Sequence, residues 1–69
     1  MAIAVTLNGA PCSLDATTIS QLLKHRGYDA DSRGVAVALN DQVVPRSRWG
    51  STDLHDGDRI ELVEPVQGG

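Results

Sequence analysis

The residues of this chain that offer chemistry are its last two, Gly68 and Gly69. Without Cβ atoms both take extended or positive-φ backbone readily, so the end can pass through a narrow channel with its final carboxylate unshielded. Any side chain there would crowd the reaction centre. The reaction that suits such an end is attack of the Gly69 carboxylate on the α-phosphate of ATP, with pyrophosphate leaving. The product, an acyl adenylate, is a good acyl donor where a carboxylate is a poor one. An isolated Gly-Gly ending is a weak motif, and its meaning depends on what precedes it.

Other reactive side chains have plainer readings. Cys12 is the sole cysteine, so no internal disulfide can form. It falls at an inward position of a predicted strand, where a free cysteine behaves as a small hydrophobe. His25 and His55 lack the clustered partners a metal site needs, and Asp56 and Asp58, flanking Gly57, read as turn formers with too few oxygens for a calcium loop. No metal site, bound cofactor or catalytic group is expected in the chain itself. Arg46, Arg48 and Trp49 form the one basic-aromatic cluster, with Trp49 expected to close the core.

The elements that must position the terminal pair follow from periodicity. Ile3, Val5 and Leu7 alternate with Ala4 and Thr6, the pattern of a strand with one buried face. Asn8-Gly9 suits a type I′ hairpin turn, and Cys12 and Leu14 continue the alternation beyond it. Thr18 to Gln21 matches a capping box; Ile19, Leu22 and Leu23 then share one helix face, with Lys24, His25 and Arg26 in the last turn and Gly27 as the stop. After a loop from Tyr28 to Gly34, Val35 to Leu39 and Gln42 to Pro45 read as two strands around Asn40-Asp41. The stretch from Arg46 to Thr52 reads as irregular. Asp56-Gly57-Asp58 is another turn, and Arg59 to Val63 is a last strand, alternating Ile60 and Leu62. Pro65 ends the pairing, leaving Val66, Gln67, Gly68 and Gly69 to project into water.

This order, β-β-α-β-β-β with one helix covering one face of a mixed sheet, is an α+β roll of the β-grasp, or ubiquitin-like, arrangement. The expected organisation is one domain over residues 1–65 and a flexible tail over 66–69.

Bulk properties exclude several classes. A chain of 69 residues has room for one small core, and with no Phe and only Tyr28 and Trp49 as aromatics that core must be aliphatic. Nine acids against six bases give a net charge of -3, and two aromatics make no stacking platform, so nucleic acid is not expected as a partner. Asp53, Asp56, Asp58, Glu61 and Glu64 precede the tail and suit either solubility or attraction to a basic partner. The longest apolar run, Val35 to Leu39, is far short of a membrane span. No signal peptide is apparent, and the expected location is the cytoplasm.

Together the residues resemble the ThiS-type sulfur carriers of thiamine biosynthesis, in the ubiquitin-like MoaD/ThiS family. The resemblance rests on Asn8-Gly9, Leu22-Leu23, the run Val35-Ala36-Val37-Ala38-Leu39-Asn40, Val43-Val44-Pro45-Arg46-Ser47 with Trp49, then Leu54, Asp56-Gly57-Asp58, Ile60-Glu61 and Val66-Gln67-Gly68-Gly69. It implies that an E1-like adenylyltransferase of the ThiF type adenylates Gly69, using ATP and Mg²⁺ at its own site. A relay from a cysteine desulfurase then replaces the adenylate with sulfur. The resulting thiocarboxylate goes to a thiazole synthase of the ThiG type, with Gly68, Gln67 and Val66 entering the partner's active site. On this reading the protein is a co-substrate, not an enzyme. Glu64-Pro65 departs from the commonest family pattern, and Pro65 is expected to fix the angle at which the tail leaves.

Val43 and Val44 are neighbours in one strand, as are Leu62 and Val63, so one of each pair faces away from the helix. Val63, Val44 and Ala38 are taken as a partner-docking face on that helix-free side. Two related readings share the tail: the small subunit of a molybdopterin synthase, and a protein modifier joined to lysines. A β-grasp binding module with an inert tail is a third.

Overall fold

The computed structural model describes residues 2–65. Its elements are β1 (Ile3–Leu7), β2 (Ala10–Leu14), α1 (Ile19–His25), β3 (Ala36–Leu39), β4 (Gln42–Val44), a one-turn 3₁₀ helix (Arg46–Arg48) and β5 (Arg59–Val63). The five strands form one mixed sheet in the order β2-β1-β5-β3-β4. β5 lies at the centre, parallel to β1 and antiparallel to β3. This is the α+β, β-grasp arrangement that the order of elements implies.

Local chemistry accounts for the joints. Asn8 and Gly9 take φ of 51° and 82°, the doubly positive pair of a type I′ turn, and Asn40 and Asp41 do the same at 50° and 71°. Gly27, at φ 87°, ends α1. Its amide donates to the Lys24 carbonyl and that of Tyr28 to the Leu23 carbonyl, the paired bonds of a Schellman motif.

The start of α1 differs from a simple capping box. Thr18 Oγ1 accepts from the Gln21 amide at 3.2 Å, as expected. The Gln21 side chain, however, reaches Thr17, taking its amide at 2.7 Å and its hydroxyl at 2.9 Å. The remaining first-turn amides are met from across the molecule, Ile19 donating to the Thr52 carbonyl and Ser20 to that of Trp49. The segment read as irregular thus caps the helix, and part of it is a 3₁₀ turn.

Ile19, Leu22 and Leu23 are almost fully buried with Val5, Leu14, Val37, Ile60 and Leu62 from the sheet and Val35 just before β3. Each such side chain contributes about 1.5–3 kcal/mol relative to exposure, which matters in so small a core. Trp49 closes one end, 2% exposed, with Nε1 donating to the Val44 carbonyl at 3.0 Å. Arg46 lies 5.0 Å over its ring and donates to the carbonyls of Ala30 and Ser32, which ties down the long loop after α1.

Candidate functional site

The expected reacting end, Val66, Gln67, Gly68 and Gly69, lies outside the described residues. The structure instead gives the launching strand β5 and everything that holds it. At its start, the Arg59 amide donates to Asn40 Oδ1 at 2.8 Å, and Asn40 Nδ2 donates to Asp58 Oδ1 at 3.0 Å. Towards its end, the Leu62 amide donates to Asn8 Oδ1 at 2.7 Å, while Asn8 Nδ2 donates to the Leu62 carbonyl at 3.2 Å. β1 pairs with β5 only through Thr6 and Leu7 before turning away. The Asn8 amide then imitates one more peptide unit and extends the ladder.

Beyond β5 the chain is held by its next two residues. Glu64 accepts from Arg26 Nη2 at 2.9 Å through one carboxylate oxygen and from Tyr28 Oη at 2.8 Å through the other. The Tyr28 hydroxyl and the Arg26 guanidinium hold the Glu64 carboxyl below its ordinary pKa. The same bond to Glu64, more than burial, raises that of the Tyr28 phenol. Pro65 rests on Gly34, where an added Cβ would lie 3.0 Å from Pro65 Cβ and where φ is +78°. The residue before the tail is therefore seated on a position that only glycine fits without strain.

The helix-free face carries exposed apolar side chains around Glu61, which pairs with Ala38 on the same outward side. Val63 is 60% exposed and pairs with Ala36; Ala38 pairs with Val43, which is 78% exposed. Val44, taken above with Val63 and Ala38, does not belong to this face. It pairs with Val37, shares that residue's inward side and packs on the core. Val43 holds the outward place because register with β3, not the pattern of two adjacent valines, decides which one turns in. Ala38 is half-buried.

The remaining candidates have structural partners. Cys12 is half-buried and packs against the core opposite Val5. Asp56 accepts from the Ala4 amide at 2.8 Å, which ties the turn to β1, and Asp58 Oδ2 accepts from the His55 amide at 2.8 Å within the turn itself. Among the described residues no three His, Cys, Asp or Glu side chains cluster as metal ligands would, and no helix is long and apolar enough to cross a membrane.

With this geometry, the ThiS family model matches residues 5–69. The chain belongs to the ThiS family. It is 37% identical to the sulfur carrier protein ThiS of Thermus thermophilus over 65 residues, covering 94% of this chain and 98% of that one. ThiS of Escherichia coli is 38% identical over 52 residues, 75% of this chain and 76% of its own. A thiazole synthase of Paramagnetospirillum magneticum is 36% identical over 66 residues, which are 94% of this chain and 20% of that protein. The crystal structure of ThiS from Geobacter metallireducens superposes with a TM-score of 0.77 at 30% identity, covering 97% of this chain and 100% of that one. The complex of subunits 1 and 2 of the molybdopterin-converting factor of Helicobacter pylori contains a chain 30% identical, with a TM-score of 0.56 and full coverage of both chains.

No local pattern in the sequence marks Asn8 as a grip on β5 or Glu64 as a tether. Asn8 was legible as a turn residue, but its bond to Leu62 spans 54 positions. Glu64 sat among acids that fitted a solvated surface, and a carboxylate after the last strand with Arg26 and Tyr28 at a helix end was the available signal.

Proposed function

We propose that this protein is a sulfur carrier for thiazole formation in thiamine biosynthesis, with Gly69 as the residue that reacts. An E1-like adenylyltransferase of the ThiF type joins the Gly69 carboxylate to the α-phosphate of ATP, releasing pyrophosphate. A persulfide relayed from a cysteine desulfurase attacks the adenylate and displaces AMP to leave an acyl disulfide; a second thiol then cleaves it, itself forming a disulfide, and the released thiocarboxylate passes to a thiazole synthase of the ThiG type. ATP and Mg²⁺ act at the activating enzyme's site, where the metal offsets phosphate charge. The chain itself supplies an acyl group, a slender end and a body for partners to grip.

The observation that carries this reading is the family match, which runs through Val66, Gln67, Gly68 and Gly69. The similarity to a stretch of a thiazole synthase supports the acceptor. Val63, Val43 and Ala38 are the side chains we assign to partner docking, since Val63 and Val43 are the large exposed hydrophobics of the described residues and share the helix-free face with Ala38 and Glu61. A second reading, the small subunit of a molybdopterin synthase, has in its favour the likeness to the Helicobacter pylori complex, at a lower TM-score of 0.56.

Rescue of a thiamine auxotroph lacking its own carrier tests the proposal. Growth with the intact chain and none with a chain lacking Gly69 is the expected outcome. Co-purification with a larger molybdopterin synthase subunit and no thiazole synthase would favour the second reading.

A further inference from the structure

Glu64 stands five residues before Gly69 and receives two hydrogen bonds from one short segment, Arg26 at the C-cap of α1 and Tyr28 two residues on. Both donors are themselves placed by the helix stop. Arg26 and Gly27 donate their amides to the last turn, and the Tyr28 amide closes the Schellman motif at 2.8 Å. A rigid helix end therefore presents a guanidinium and a phenol to the two oxygens of one carboxylate. Pairs this exposed contribute little to stability, with side-chain exposures of 40% for Arg26 and 36% for Glu64. Stability is thus a poor reason for three side chains to meet just beyond the last strand.

We propose that Glu64, held by Arg26 and Tyr28, is a positioning residue that fixes where and in what direction the reactive end leaves the body. This rests on the sulfur-carrier reading above. Regular pairing of β5 ends at Val63. With Glu64 held, the last anchored of the described residues is Pro65, seated on Gly34. Without the carboxylate, anchoring retreats towards Val63 and leaves only the apolar contact of Pro65. Counted along the sequence, Gly69 is four residues beyond Pro65 and six beyond Val63, so the tether lengthens to as many as six residues whenever the Pro65 contact also lets go. For a tethered reactant, effective concentration falls roughly as the −3/2 power of tether length, which gives about twofold. Loss of a fixed exit direction adds to that, because reaction requires aligned partners.

The test is steady-state adenylation of the full chain by its activating enzyme, read as ATP–pyrophosphate exchange, for the wild type, Glu64→Ala, Tyr28→Phe and the double variant. For Glu64→Ala the expected result is a kcat lowered at least about twofold, with KM for the carrier unchanged because the docking face is intact. Tyr28→Phe should lower kcat less, and the double variant no further than Glu64→Ala, since both changes remove one interaction. A merely structural role would lower the thermal midpoint and leave kcat alone, and that result overturns the proposal. A Glu64→Ala chain as fast as a reactive wild type overturns it as well, while leaving the carrier reading in place. An inert wild-type chain with a demonstrably active enzyme would remove the carrier reading and this role together.

Discussion

Asn8 has two duties that substitution can separate. Its φ of 51° serves the turn, and its side chain makes two bonds to the backbone of Leu62. Asn8→Gly keeps the turn and loses only those bonds, so it should cost about 1–3 kcal/mol. Asn8→Ala also places at φ 51° a residue less tolerant of left-handed backbone than Asn or Gly, so it should cost about 1–2 kcal/mol more than Asn8→Gly. Urea midpoints measure both, and equal losses would mean that the turn carries no strain. Gly34→Ala should likewise destabilise, by about 1–2 kcal/mol for its backbone, with a further cost from the contact with Pro65. At this scale the sequence discloses local roles and hides distant ones. Asn-Gly announces a turn by its own chemistry, whereas the contacts of Glu64 lie 36 and 38 positions away. They depend on how the helix end sits beside β5, which no local pattern encodes.

Among the elements, α1 is short enough that its cap matters. Thr18→Ala removes the acceptor for the Gln21 amide and should cost about 1 kcal/mol, read by the same denaturation midpoints. The connection between β5 and the helix end should show in pH dependence. The Glu64 carboxyl is lowered in the fold, so its contribution is present above the unfolded carboxyl range and is lost as pH falls through the folded value. The Tyr28 phenol is raised, so its contribution is present below the unfolded tyrosine value and is lost as pH rises through the folded one. Because the pair is exposed, Glu64→Gln should weaken the acid limb of a stability profile against pH only slightly, and loss of the whole limb would contradict the small stability contribution of the pair. Five strands and one helix were legible because alternation, Asn-Gly and a Thr-capped apolar stripe each have one physical meaning. The facing of Val43 and Val44 was not, because a three-residue strand has no internal pattern to orient it and only its register with Val37 does. The 3₁₀ turn at Arg46–Arg48 escaped for a similar reason, its form following from Trp49 entering the core and Arg46 bonding the loop across from it.

For the whole molecule, one core joins the five strands and α1, and Trp49, buried within it, is the single tryptophan. Its fluorescence should therefore report global unfolding and coincide with loss of far-ultraviolet circular dichroism, as two-state unfolding requires. Separate transitions would contradict a single cooperative unit. Of the acids that precede the tail, Asp56, Asp58 and Glu64 bond backbone amides or side chains of the body. The body so built holds β5 centrally, grips it through two turn asparagines and seats its continuation on Gly34. In the proposed function, the group this body presents is the carboxylate of Gly69, which receives sulfur. The direct measurement is the intact mass of the full chain after incubation with ATP, Mg²⁺, its activating enzyme and a sulfur source. The predicted result is a gain equal to replacement of one oxygen by sulfur, located at Gly69 by fragmentation. An unchanged mass, with an activating enzyme active on its own carrier, would contradict the account.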